Sequence, residues 1–204
     1  MFILYALVIG LVVGFALGGR IGGLASIRLR WGWVALIGLL VQVALFSGAV
    51  TERIGSLGPP IYVASTVGVL AALIANLSVP GLPLVALGAA SNLAAIVANG
   101  GYMPASQGAL AALGRHLGSE YSNSTVTADP ALAPLTDIFA LPSWLPFANV
   151  FSIGDVLIGL GMALAIVIAM RSARPAQAPL AERRPGGASG HLPPRSAPSG
   201  TDEP

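Results

Sequence analysis

Five apolar runs dominate the chain, at about Phe2–Gly19, Trp31–Val50, Ile61–Val79, Leu82–Ala98 and Val150–Met170, and most polar residues fall between or beyond them. Each run is about long enough to cross a bilayer as a helix, because about 20 residues at about 1.5 Å each match a hydrocarbon core of about 30 Å. The pattern predicts an all-α fold: an integral membrane bundle of five transmembrane helices in residues 1–170, with an external helical and interfacial cap over 99–149. Within that cap Ser106–Leu117 has helical spacing, with Leu110, Leu113 and Leu117 on one face. After the polar stretch Glu120–Asp129, the apolar segment Ala131–Asn149 is broken by Pro134, Pro142 and Pro146, which forbids one straight helix. Its Trp144 and Phe147 suit the membrane interface.

Charge orients the bundle. Arg20, Arg28 and Arg30 follow the first run, and Arg171 and Arg174 follow the last, so the positive-inside rule puts the first loop and the C-terminal end in the cytoplasm. Five crossings then place the N-terminus outside. The first run lacks a basic leader and a small-residue cleavage site, so it is expected to be a retained anchor. From 171 to 204 the chain is rich in Pro, Ala and Arg with almost nothing large and apolar, which predicts a disordered cytoplasmic tail.

Composition agrees with a membrane protein: 55% hydrophobic, 9% charged and a mean hydropathy of +0.81, where soluble domains carry about 25% charged residues. The net charge of +2 comes from arginines set beside apolar runs, which excludes a nucleic-acid patch and leaves the lipid bilayer as the expected partner. There is no cysteine, and His116 and His191 stand too far apart in sequence to suggest a metal site, so neither metal nor cofactor is expected. Gly10, Gly14 and Gly18 recur every four residues and make a close-packing face, used either within the bundle or as a homodimer or partner seam.

Polar residues inside the runs are few: Gln42, Asn76, Ser91, Asn92, and near the outer edge Asn99, Ser152 and Asp155. In hydrocarbon each must find a partner. Asn92 and Asn99 are two turns apart and share a helix face. Ser152-Ile153-Gly154-Asp155 has the capping-box pattern, in which serine and acid satisfy each other's backbone N–H groups at a helix start. That role accounts for Asp155, and it is compatible with a second role in a site. Asn99-Gly100-Gly101 ends a helix through left-handed conformations, and Pro104 can open the next.

Ser91-Asn92-Leu93, Asn99-Gly100-Gly101-Tyr102-Met103-Pro104 and the stretch Phe151-Ser152-Ile153-Gly154-Asp155-Val156-Leu157-Ile158-Gly159-Leu160-Gly161 resemble the signatures of a family of uncharacterised multi-pass bacterial membrane proteins. The resemblance covers about Met1–Met170 and implies the inner membrane without implying an activity. A partial likeness is to the lipoprotein signal peptidases, through Phe151, Gly154, Asp155, Ile158 and Gly161. Where that family's other catalytic acid would fall, after Asn92, stands Ala95, with no arginine behind it. Aspartic catalysis needs two carboxylates that share a proton. Asp137 could serve as the second only if its loop folds back over the last helix. The residues therefore favour a non-enzymatic membrane protein, a partner subunit or small-ligand binder with an external polar pocket of Asn92, Asn99, Tyr102, Ser152 and Asp155. The alternatives are a peptidase-like enzyme using Asp155 with Asp137, and a small transporter, disfavoured because no charge lies mid-span.

Overall fold

The computed structural model describes residues 2–47, 50, 53–114, 124–125 and 129–172. The expected tail beyond Ser172, both histidines and most of Glu120–Asp129 lie outside these residues. The protein is mostly helical: α1 spans Phe2–Ala16, α2 Gly32–Leu45, α3 Gly58–Ile74, α4 Leu82–Ala98, α5 Gln107–Ala112 and α6 Ile153–Ser172. Each expected apolar run holds one of the five long helices. Two are long and apolar enough to cross a membrane, Gly55–Ile74 (α3 with the 3-10 turn before it) and α6, while α1, α2 and α4 are shorter apolar helices.

Backbone chemistry and not hydropathy sets the helix ends: α1, α2 and α3 stop short of their apolar runs, α4 stops with its run, and α6 continues to Ser172. At the end of α4, Gly101 N–H donates to Ile96 O at 2.8 Å and Gly100 N–H to Val97 O at 3.3 Å, with φ of +72° at Gly100 and +91° at Gly101. This is a Schellman closure, which needs a left-handed residue that glycine supplies without a Cβ clash. Gly18 and Gly19 close α1 in the same way, onto Phe15 O and Gly14 O. Gly18 therefore belongs to the helix end and not to the packing stripe expected of it; a Cβ there would meet nothing within 4 Å. Asn76 likewise falls in the turn after α3 and not within a helix.

Glycines decide which helices touch. A Cβ on Gly10 would lie 2.9 Å from Ala163 Cα, one on Gly14 2.5 Å from Met170 Sδ, and one on Gly159 2.9 Å from Ala6 Cβ, so α1 lies directly on α6 and parallel to it. On another face of α6, a Cβ on Gly161 would lie 2.6 Å from Gly81 O and one on Gly88 2.9 Å from Ile158 N, so α4 packs antiparallel with its backbone against that of α6. Small residues at such seams let backbones approach closely. A short turn through Pro80-Gly81 joins α3 to α4, and α2 packs antiparallel on α3, with Gly38 against Ser65 and Val69. Gln42 Nε2 bridges these two helices, donating to Ser65 Oγ at 3.3 Å and Thr66 Oγ1 at 3.2 Å. The contacts run in the order α1, α6, α4, α3, α2.

Although α1 and α2 follow each other in sequence, they stand at opposite ends of this row, so the chain between them must cross one end of the bundle. It does so as a strap. Arg20 N–H donates to Met170 O at 2.8 Å, the 3-10 turn Ile21–Ser26 packs through Gly23 on Ala169 and Met170, and Arg30 reaches the turn after α3. There the buried Asn76 accepts from Arg30 N–H at 2.8 Å and donates to Arg30 O and to Ala72 O, both at 2.7 Å.

The opposite end carries the cap. A core of Leu45, Tyr62, Ala95, Ile96 and Met103 closes the helix ends beneath it. Pro104 continues extended here and does not open a helix: Met103–Pro104 (β1) pairs parallel with Ser124–Thr125 (β2), and Ala105 bridges Asp137. The short α5 follows, with Ser106 Oγ accepting from Ala109 N–H at 3.0 Å as its cap. Phe139–Ala140 (β3) pairs antiparallel with Val150–Phe151 (β4), which leads into α6. Phe151 stacks on Phe139 and on Phe2, at centroid distances of 5.4 and 4.4 Å. The loop between β3 and β4 is tied to α1 as well, with Tyr5 OH donating to Pro146 O and Phe2 N–H to Asn149 Oδ1.

Candidate functional site

The polar residues expected to gather at the start of α6 do so in part. Ser152 Oγ accepts from Asp155 N–H at 3.0 Å, and Asp155 Oδ2 accepts from Ser152 N–H at 3.2 Å, so the capping box forms reciprocally. Asn92 on α4 completes a ring: its Nδ2 donates to Asp155 Oδ1 at 2.9 Å, and its Oδ1 accepts from Ser152 Oγ at 2.8 Å. Ser152 is fully buried and Asp155 half-buried. Both carboxylate oxygens are thus engaged, one by the start of its own helix and one by a neighbouring helix, and the negative charge sits where the helix dipole favours it. The ring fastens α4 to α6 at the cap end, directly above the Gly88–Gly154 contact.

Asn99 takes a different direction from Asn92 despite sharing its helix face in sequence. Its Nδ2 donates to Ala95 O at 2.7 Å and to Ala131 O at 2.8 Å, and its Oδ1 accepts from Ala131 N–H at 2.9 Å. It therefore holds the cap segment onto the end of α4. Tyr102 is half-buried beside β1, in the chain that leaves this helix. Asp137 is buried, and its backbone lies in the ladder, accepting from Ser106 N–H at 3.0 Å and donating to Pro104 O at 2.9 Å. The β3–β4 pairing sets Phe139, two residues after Asp137, opposite Phe151, two residues before α6 begins at Ile153.

The open groove of the cap lies elsewhere. About 400 Å³ in volume, it is lined by Ala105, Ser106, Gln107, Pro130, Ala133, Thr136 and Ile138. Its polar groups are hydroxyls and one amide, none ionised. Sequence reading missed it, because the walls come from two segments about 30 residues apart in sequence, brought together by the Ala105–Asp137 bridge and the Asn99–Ala131 bonds; the Ser106 helix cap was the one local signal. Among the described residues, no three metal-ligating side chains converge.

These features define a predominantly helical protein with two helices fit, by length and composition, to cross a bilayer, and a polar ring tying two of its helices together. The chain belongs to a family of unknown function, DUF5317, whose model matches residues 26–167. That segment holds Asn92, Asn99, Asp137, Ser152 and Asp155, while α1 and the first part of the strap precede it. No curated protein and no solved structure matches the chain.

Proposed function

We propose that this is a five-span integral membrane protein of a bacterial inner membrane, N-terminus outside, with no catalysis of its own, which offers its outer cap to a small ligand or a partner subunit. What supports the membrane reading is the outer surface of the bundle. Its helices expose apolar side chains outward, Val12 at 61% and Val43 at 72% among them, and the spanning windows of α3 and α6 are only 17% and 22% buried. A helix apolar all round suits the interior of a large protein or lipid, and these helices have little protein around them. The helix directions fit as well: α1 and α6 are parallel, as the first and last of five alternating spans must be, and Arg20, Arg28, Arg30 and Arg171 share the end that the positive-inside rule assigns to the cytoplasm. Because the chain has no cysteine, single replacements report cleanly. Ser143→Cys and Gly108→Cys should react with a membrane-impermeant maleimide on intact spheroplasts and Arg28→Cys only after lysis; the reverse pattern would invert the topology.

The observation that carries the non-enzymatic reading is the engagement of Asp155. Each of its oxygens already accepts a bond that holds the fold, so any acid or base role would have to use the remaining lone pairs without breaking that structure. Asp155→Asn keeps the shape and one acceptor, so it should cost on the order of 1 kcal/mol of stability and leave growth and complementation intact. A peptidase-like enzyme using Asp155 with Asp137 draws on the β3–β4 pairing, and in that case Asp155→Asn would abolish function while the protein melts nearly as before.

A further inference from the structure

We infer that the strap between α1 and α2 is a docking surface for anionic phospholipid headgroups of the inner leaflet, with Arg20 and Arg171 at its centre. The inference rests on the membrane reading and goes beyond the use of these arginines as topology signals. A topology signal needs positive charge on the correct side and no fixed geometry. Here the backbone is fixed at both ends. The Arg20 N–H bond to Met170 O sets Arg20 beside the residue preceding Arg171, bringing together two guanidinium-bearing positions far apart in sequence. Gly23 seats the strap on Ala169 and Met170, and the buried Asn76 holds Arg30 by both its backbone N–H and its carbonyl.

Arg20, Arg28, Arg30 and Arg171 are all exposed, and the described acids, Asp129, Asp137 and Asp155, belong to the cap or to the outer start of α6. Like charges held side by side with no acid of the described chain near them call for anionic counter-groups. Guanidinium groups match the phosphodiester geometry by paired N–H donors. Beside the arginines the strap exposes Ile21, Leu29 and Trp31, apolar and aromatic groups that settle at the glycerol and upper acyl level. An amphipathic segment of this kind, pinned across the end of a bundle, fits a lipid surface better than a free phosphate in solution.

The test is native mass spectrometry of the full chain in neutral detergent, titrated with phosphatidylglycerol and, separately, phosphatidylcholine. The wild type should retain phosphatidylglycerol about thirtyfold more strongly, in line with two surface arginines, and the preference should shrink at high salt. Arg20→Gln with Arg171→Gln should abolish the preference, whereas Arg53→Gln, at the other end, should leave it. A double variant that melts like the wild type and still prefers phosphatidylglycerol overturns the inference, as does a preference that soluble glycerol phosphate removes at equal concentration. Those results would leave the membrane reading standing; release of the chain from native membranes by alkaline carbonate would remove both.

Discussion

Gly154→Val should destabilise the protein by about 3 kcal/mol or more, the upper range for overpacking a close contact, and is expected to leave little folded material. A Cβ on Gly154 would fall on Asn92 Oδ1 and lie 2.8 Å from Gly88 O. One obstacle is backbone and the other a side-chain end that is pinned. The Gly88 carbonyl belongs to the backbone of α4 and moves only with that helix, and Asn92 is held in place by its bonds to Ser152 and Asp155. The valine would thus part α4 from α6 and break the polar ring in one step. The comparison is with Gly22→Ala and Gly108→Ala, where a Cβ meets nothing within 4 Å; these should melt within about 0.5 kcal/mol of the wild type, as ordinary surface changes do. If Gly154→Val melted with them in detergent, the α4–α6 backbone contact would be wrong.

Asn92→Leu should cost about 2–3 kcal/mol, because it strands two groups and not one. Leucine keeps the bulk of the side chain but leaves Asp155 Oδ1 without its donor and the buried Ser152 hydroxyl without its acceptor, and each stranded buried polar group costs about 1–3 kcal/mol. Part of the loss is recoverable where Ser152 can turn its hydroxyl elsewhere. The ring nature of the contact is what a double-mutant cycle reads: Asn92→Leu combined with Ser152→Ala should cost less than the two changes summed, by about 1 kcal/mol, since the second removes a group the first has already stranded. Strict additivity in thermal or urea unfolding would show that Asn92 and Ser152 act independently and that no ring exists.

The helices were legible because composition alone marks them: a segment such as Leu82–Ala98 has no other physical use for so many consecutive apolar residues. Their ends were less so. Hydropathy runs straight through Gly18 and past Ile74 to Val79, whereas the backbone stops where glycine permits a left-handed closure or where Asn76 is needed to hold Arg30. The contact of Asn92 with Ser152 and Asp155 was readable from alternating helix direction, which puts the end of one run beside the start of another. The path of Asn99 was not. Helical spacing fixes the direction of Cβ, but the destination of an amide two bonds further out depended on Ala131, which the fold brings to it. The order of the helices in space was hidden for a similar reason. It is written in Gly10, Gly14, Gly88, Gly154, Gly159 and Gly161, and a glycine seen in one sequence does not name its neighbour.

The parallel seating of α1 on α6 carries a consequence for how the protein is made. The ribosome delivers α1 first and its partner last, so the Gly10–Gly14 face emerges some 150 residues before the surface that covers it exists. Through most of translation α1 must wait with that face uncovered, while α2, α3 and α4 assemble as consecutive neighbours. Release of α6 then completes three contacts nearly together: the seam with α1, the seam with α4, and the bond from Arg20 that draws the strap against the finished helix. Synthesis in the order of the chain therefore makes α6 the keystone, and an early stop codon anywhere before it would strand α1 as well as delete α6.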